Sequence, residues 1–105
     1  MSSMQVKVET LRAHASLWES HASDAQEAAG LIAPAVGRGS DFGWLAGEAG
    51  VEESFNAWTE AMDQALADAQ KCCRYIAAAL TSTANDFDTT DQAVATDMAT
   101  LDEMI

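Results

Sequence analysis

The chain has 105 residues, enough for one domain, and a formal net charge of −12 at pH 7. Hydrophobic residues make up 49% of it, but many are alanine, which favours helix and contributes little buried area. The negative charge would repel nucleic-acid phosphates and anionic lipids, so it excludes both as expected partners. The composition predicts a single all-α domain, residues 1–105, whose partners are neutral or basic proteins.

The start of the chain has no basic region followed by an apolar stretch, as a secretory signal would require. No run of apolar residues approaches the ~18 that are needed to span a bilayer. We therefore expect neither conventional export nor stable membrane insertion.

Along the first part of the chain, apolar residues recur at alternating spacings of three and four, the pattern of an amphipathic helix. This first seam consists of Val8, Leu11, Ala15, Trp18, Ala22, Ala25, Ala29 and Ile32. It predicts helix one over about residues 8–36. Its alanines would allow another helix to approach closely, and Trp18 is its one large side chain. Pro34 can bend or stop the last turn.

Residues 37–50 are rich in glycine and have no sustained period, so they are predicted to form the bend of an antiparallel two-helix hairpin. Phe42, Trp44 and Leu45 are expected to cap the open end of the helix pair, because three large apolar side chains on a free loop would form an exposed patch. The alternative is that they contact a partner directly.

A second seam starts at Val51 and continues through Phe55, Trp58, Met62, Ala65, Ala69, Cys72, Ile76, Ala79, Thr83 and Phe87. It predicts helix two over about residues 51–86, with Trp58 facing Trp18 from the other arm. The spacing persists through Asp91, Val94, Met98, Leu101 and Ile105. Asp91 breaks its apolar character and is expected to be solvent-exposed, and threonines and aspartates weaken the helix there. Residues 87–105 are therefore predicted as a helical but frayed tail.

Both arms carry apolar residues outside these seams, namely Leu17, Ala28 and Leu31 on helix one, and Met62, Leu66, Cys73, Ala77 and Leu80 beside the seam of helix two. One partner helix cannot cover both stripes, so the hairpin is expected to pair with another hairpin into a four-helix bundle. The expected packing and partner-interface residues are Leu11, Trp18, Ile32, Phe55, Trp58, Met62, Leu66, Ile76 and Leu80.

The sequence offers no recognisable active site. His14 and His21 lie seven residues apart, roughly 10.5 Å along a helix, which is too far to share one metal ion. Cys72 and Cys73 point in different directions on a helix and are interpreted as packing residues, with an intermolecular disulfide after export as the alternative. We expect no enzymatic activity and no catalytic, cofactor-binding or metal-binding residues.

Two segments carry a family resemblance. Residues 6–15 begin with a valine, a short spacer and a leucine, and residues 84–93 contain Phe87 followed four residues later by Asp91. Together with the bend, they resemble the EspC-like branch of the type VII (ESX) secretion substrates, relatives of the WXG-motif hairpin proteins of actinobacteria. The export signal of that family is Tyr-x-x-x-Asp/Glu, where this chain has Phe87. The bend reads Trp44 to Gly47, one residue longer than Trp-x-Gly.

The resemblance implies export as a folded helical pair, driven by an FtsK/SpoIIIE-type ATPase that recognises the C-terminal segment through Phe87 and Asp91. The partner would be a second copy, another helical hairpin or the N-terminal domain of an effector. The product would be secreted or held at the cell surface, without a signal peptide, after synthesis in the cytoplasm. Two alternatives remain: a dedicated targeting or chaperone partner for a larger type VII effector, and an intracellular helical regulatory protein.

Overall fold

The computed structural model describes residues 3–104, and every regular element in that range is helical. Helix α1 is Ser3–Ile32, two single-turn 3₁₀ helices follow at Ala33–Ala35 and Gly39–Phe42, α2 is Trp44–Glu48 and α3 is Val51–Met104. The prediction of an all-α protein is confirmed.

Helix α1 starts and ends earlier than the predicted range of 8–36. It already includes residues 3–7, which contain good helix formers and no helix breaker, although the apolar pattern has not yet begun there. It ends at Ile32 because Pro34 has no amide proton to donate to an i−4 carbonyl, and the chain tightens into a 3₁₀ turn.

Helix α3 continues without interruption past the predicted end at residue 86 and includes the predicted tail as far as Met104. Its threonines do not interrupt it, and several of their hydroxyls donate to carbonyls one turn earlier. Thr83 donates to the Ala79 carbonyl and Thr90 to the Asp86 carbonyl, both at 2.9 Å. Ile105 lies outside the described residues.

The bend between the long helices needs glycine at its corners. Gly43, which precedes α2, has φ 94°, and Gly50, which precedes α3, has φ 82°. Residues with a Cβ atom rarely adopt such left-handed angles, so these two positions set where the short helix begins and where α3 begins.

The residues group into two compact units. The terminal unit combines Met1–Glu19 with Arg74–Ile105, and the bend unit is Ser20–Cys73. The terminal unit buries Val8, Ala15, Ala77 and Ala84. The bend unit buries Ala22, Gly39 and Thr59. Both cores consist of small side chains, so little apolar area is removed from water.

Candidate protein-interaction surfaces

The first seam is confirmed as the covered face of α1. All eight of its members, from Val8 to Ile32, are buried or half-buried, including Leu11 and Trp18. By contrast, Leu17 and Leu31, which lie outside the seam, are exposed. The sequence therefore predicted correctly which face of α1 packs.

The second seam does not describe the covered face of α3. Six of the members between Val51 and Phe87 are exposed, namely Val51, Trp58, Ala65, Cys72, Ala79 and Thr83. Of the residues in the neighbouring stripe, Ala77 is buried and Met62, Leu66, Cys73 and Leu80 are half-buried. The covered face of α3 is therefore rotated from the second seam toward this stripe.

Trp58 is the clearest correction. It was predicted to pack opposite Trp18, but 57% of its surface is exposed. Its neighbour Thr59 is fully buried instead. The other residues predicted for packing or a partner interface on these helices are half-buried, namely Ile32, Phe55, Met62, Leu66, Ile76 and Leu80.

The rotation of α3 is explained by hydrogen bonds from the bend. The backbone N–H of Gly39 donates to Asn56 Oδ1 at 2.8 Å, and the N–H of Gly37 donates to Thr59 Oγ1 at 3.4 Å. The Thr59 hydroxyl donates in turn to the Asn56 carbonyl at 3.1 Å. A buried amide left without an acceptor would cost about 1–3 kcal/mol, so Asn56 and Thr59 face inward and Trp58 faces outward.

Sequence reasoning missed Asn56, Thr59 and Gly39 because they are not apolar. The available signal was a pair of polar residues, three apart, on the first turns of α3, together with two glycines in the bend at Gly37 and Gly39. Side-chain acceptors at that spacing can bind the N–H groups of residues 37 and 39 in the adjacent loop.

The expected capping role of the bend is wrong for two of its three large residues. Trp44 is 78% exposed and Leu45 is 77% exposed. Phe42 does pack in part, with its ring edge-to-face on Phe55 at a centroid distance of 5.0 Å. Gly47 is half-buried beside Glu52.

An open cleft of about 370 Å³ lies beside Phe42, and its walls include Leu31, Pro34 and Phe55. At its edge, Arg38 and Asp41 form an exposed ion pair at 2.8 Å. The bend unit thus presents Trp44, Leu45 and this cleft to solvent.

Phe87 and Asp91 lie one helical turn apart on α3, and both are half-buried. Phe87 lines a groove of about 270 Å³ with Val6, Thr10 and Leu11 at the start of α1. The prediction that Asp91 is solvent-exposed is therefore wrong in part.

Beyond Asp91, every described residue of α3 is exposed, from Gln92 to Met104. This segment retains an apolar stripe of Val94, Met98 and Leu101 at spacings of four and three. Phe87 and Asp91 mark the point on α3 where covered residues give way to an exposed helix.

The remaining candidates offer little chemistry. Among residues 3–104 no group of three or more histidine, cysteine or acidic side chains is placed to hold a metal ion. His14 and His21 are exposed, and Cys72 and Cys73 are free thiols. Within the same range, no helix combines the length and apolarity required to cross a membrane.

Comparison with protein-family models, curated proteins and solved structures yields no match for this chain.

Proposed function

We propose that this chain is a type VII (ESX) secretion substrate or co-substrate that acts as half of a helical complex. In this proposal, α1 and α3 form the arms of an antiparallel hairpin that pairs with another hairpin into a four-helix bundle. The pair is exported as a folded unit. The C-terminal part of α3 is the export signal that an FtsK/SpoIIIE-type ATPase recognises.

The observation that carries the proposal is the mismatch between buried and exposed apolar residues. Among the described residues, the buried hydrophobic side chains are one valine and four alanines, whereas thirteen large hydrophobic side chains are exposed. Large apolar side chains that lie together on a surface are characteristic of protein-binding sites, and Val94, Met98 and Leu101 form such a stripe on α3. Partner binding would stabilise the folded chain by mass action.

Contacts within each unit support the hairpin. In the terminal unit, Arg12 of α1 reaches Asp88 of α3 at 3.9 Å, and the start of α1 lines the groove beside Phe87. In the bend unit, Gly37 and Gly39 donate to the first turns of α3. The Arg12–Asp88 contact joins the two long helices, and the Gly37 and Gly39 contacts join the bend to α3.

The placement of Phe87 and Asp91 supports the export step. A receptor that approaches this part of the terminal unit could read an aromatic ring and a carboxylate one turn apart, followed by an exposed acidic helix. Because Phe87 lines a groove with the start of α1, its position depends on the fold of the unit. That dependence supports the proposal that the substrate is recognised in its folded form.

The test is a secretion assay with Asp91→Asn, which removes the charge and retains the size of the half-buried side chain. We expect the culture supernatant to contain at least about tenfold less of this variant than of the wild type, with the protein retained in the cells. Asp97→Asn is the matched control, because Asp97 is exposed on the same helix outside the motif, and its secretion is expected to be unchanged. Phe87→Tyr restores the residue of the family and is expected to preserve or improve secretion.

Circular dichroism of the purified variants checks that each is folded. If Asp91→Asn folds and is secreted at the wild-type level, the C-terminal tail is not an export signal. The alternative of an intracellular helical regulatory protein then replaces the secretion proposal. If the wild type leaves the cell only together with a larger effector, the dedicated targeting partner becomes the better description.

A further inference from the structure

The groove beside Phe87 brings the two ends of the chain together. We call it the terminal groove and define it by its lining residues, Val6, Lys7, Thr10 and Leu11 of α1 and Phe87 of α3. Val6 is 48% exposed, so the apolar wall of the groove is open to a partner. Because Val6 and Phe87 lie near opposite ends of the sequence, only the folded chain presents this groove.

The terminal groove offers one charged group. Its Thr10 hydroxyl already donates to the Val6 carbonyl at 2.9 Å, and the lining residues other than Thr10 and Lys7 are apolar. Lys7 is exposed, and no described residue forms an ion pair or a hydrogen bond with its side chain. Arg12, by contrast, reaches Asp88 at 3.9 Å. The Lys7 ammonium can therefore pair with a carboxylate from outside the chain.

The size of the terminal groove favours a protein side chain over a small-molecule ligand. Pockets for drug-sized ligands typically measure roughly 300–1,000 Å³ and enclose most of the ligand surface. The terminal groove measures about 270 Å³ and is open along its outer side. One or two apolar side chains of a partner would cover it.

We propose that the start of α1 belongs to the surface that the export receptor recognises. An apolar side chain of the receptor fills the terminal groove against Val6, Leu11 and Phe87, and an adjacent carboxylate of the receptor pairs with Lys7. This inference rests on the proposed function. It adds the chemistry of the receptor's contact, an apolar residue beside an acidic one, and a contribution from the N-terminal helix.

The charge of the chain explains why this pairing would be selective. A basic surface is attracted to most of a chain with a net charge of −12, so attraction to the acidic residues of α3 does not specify one docking position. A carboxylate is repelled by most of the same chain. Its pairing with Lys7 therefore fixes where the receptor docks.

Charge reversal in the secretion assay tests the ion pair. Lys7→Glu is expected to lower the amount in the culture supernatant at least about fivefold, because the receptor carboxylate would then face a like charge. Lys71→Glu is the matched control, since it changes the net charge equally at an exposed lysine of the bend unit, and its secretion is expected to stay within about twofold of the wild type. Lys7→Arg retains the charge and is expected to behave like the wild type. Equal secretion of Lys7→Glu and Lys71→Glu, or loss of Lys7→Arg, overturns the inference.

A polar substitution tests the apolar part of the contact. Val6→Asn places an amide in the terminal groove and is expected to lower secretion at least about fivefold, because the amide would be buried by the receptor without a partner. Val51→Asn is the control, since Val51 is a similarly exposed valine of the bend unit, and its secretion is expected to stay within about twofold of the wild type. Equal secretion of the two variants contradicts the proposed occupant.

Light scattering of the purified variants separates the receptor from the paired hairpin as occupant of the groove. We expect Lys7→Glu and Val6→Asn to keep the oligomeric state of the wild type and, by circular dichroism, its helix content. If either substitution dissociates the complex, the paired hairpin occupies the groove and the inference is wrong. If Asp91→Asn blocks export while Lys7→Glu and Val6→Asn are secreted like their controls, the proposed function stands and the inference alone fails. A wild type that is retained in the cells refutes both.

Discussion

The bend unit and the terminal unit are held together by different kinds of interaction. In the bend unit, backbone amides of Gly37 and Gly39 donate to Thr59 and Asn56, and Gly39 lies against the α3 backbone at Glu52. In the terminal unit, Arg12 of α1 and Asp88 of α3 form an ion pair at 3.9 Å, with both side chains about half exposed. There, alanines and Val8 form the core.

This difference separates two ways of bringing helices together. Hydrogen bonds are directional, so the bend unit specifies how α3 is rotated about its own axis. Packing of small apolar residues is not directional, and it requires only that the neighbouring backbone be close. We therefore expect the bend unit to be sensitive to changes in backbone geometry and the terminal unit to be sensitive to changes in side-chain volume.

Gly39→Ala is expected to have the largest effect, because an added Cβ would lie 2.8 Å from Asn56 Oδ1 and in contact with the Glu52 backbone. We expect a loss of about 3 kcal/mol in the free energy of unfolding, at the upper end of the cost of overpacking. Chemical denaturation followed by circular dichroism measures it.

Gly30→Ala is the matched control, since a Cβ at Gly30 meets nothing within 4 Å and the residue lies inside α1. Higher helix propensity is expected to stabilise that variant by about 1 kcal/mol. Equal effects of the two substitutions would mean that the bend does not pack tightly on α3.

An intermediate effect is expected for Ala84→Leu in the terminal unit, where Ala84 is 0% exposed. Three additional carbons cannot fit at a close helix contact, so we expect destabilisation of about 2 kcal/mol. Ala78→Leu, at an exposed position of the same unit, is the control and is expected to stay within about 0.5 kcal/mol of the wild type. If Leu is tolerated at residue 84, the terminal unit does not depend on close packing.

The smallest effect is expected for Asp88→Asn, which removes the charge from the contact with Arg12. Both side chains are about half exposed and the atoms are 3.9 Å apart, so we expect a change of less than about 0.5 kcal/mol. A loss above about 1 kcal/mol, measured at low salt and abolished at high salt, would show that the ion pair contributes substantially to the terminal unit.

Sequence reasoning was most successful for α1. The first seam, from Val8 to Ile32, is the covered face of that helix, because its inward positions are apolar and follow a regular spacing. Its boundaries were less accurate. Helix α1 already includes residues 3–7, before the apolar pattern begins, and the lack of an amide proton in Pro34 ends it early.

The candidate site was predicted less completely. The sequence predicted the helical spacing of Phe87 and Asp91, but not that both are half-buried or that the start of α1 lines a groove with Phe87. Those facts depend on contacts between residues far apart in the chain. For the same reason, the exposure of Trp44 and Leu45 could not be deduced from their apolar character.

By itself, the sequence determined the helical class, the position of the bend and the inward face of α1, because these depend on local propensity and on one regular apolar spacing. Only the tertiary structure decided the rotation of α3, because two adjacent apolar stripes on that helix satisfy the spacing about equally well. Two polar residues, Asn56 and Thr59, determine which stripe of α3 faces inward. They accept hydrogen bonds from the bend, and Trp58 is thereby left exposed to solvent.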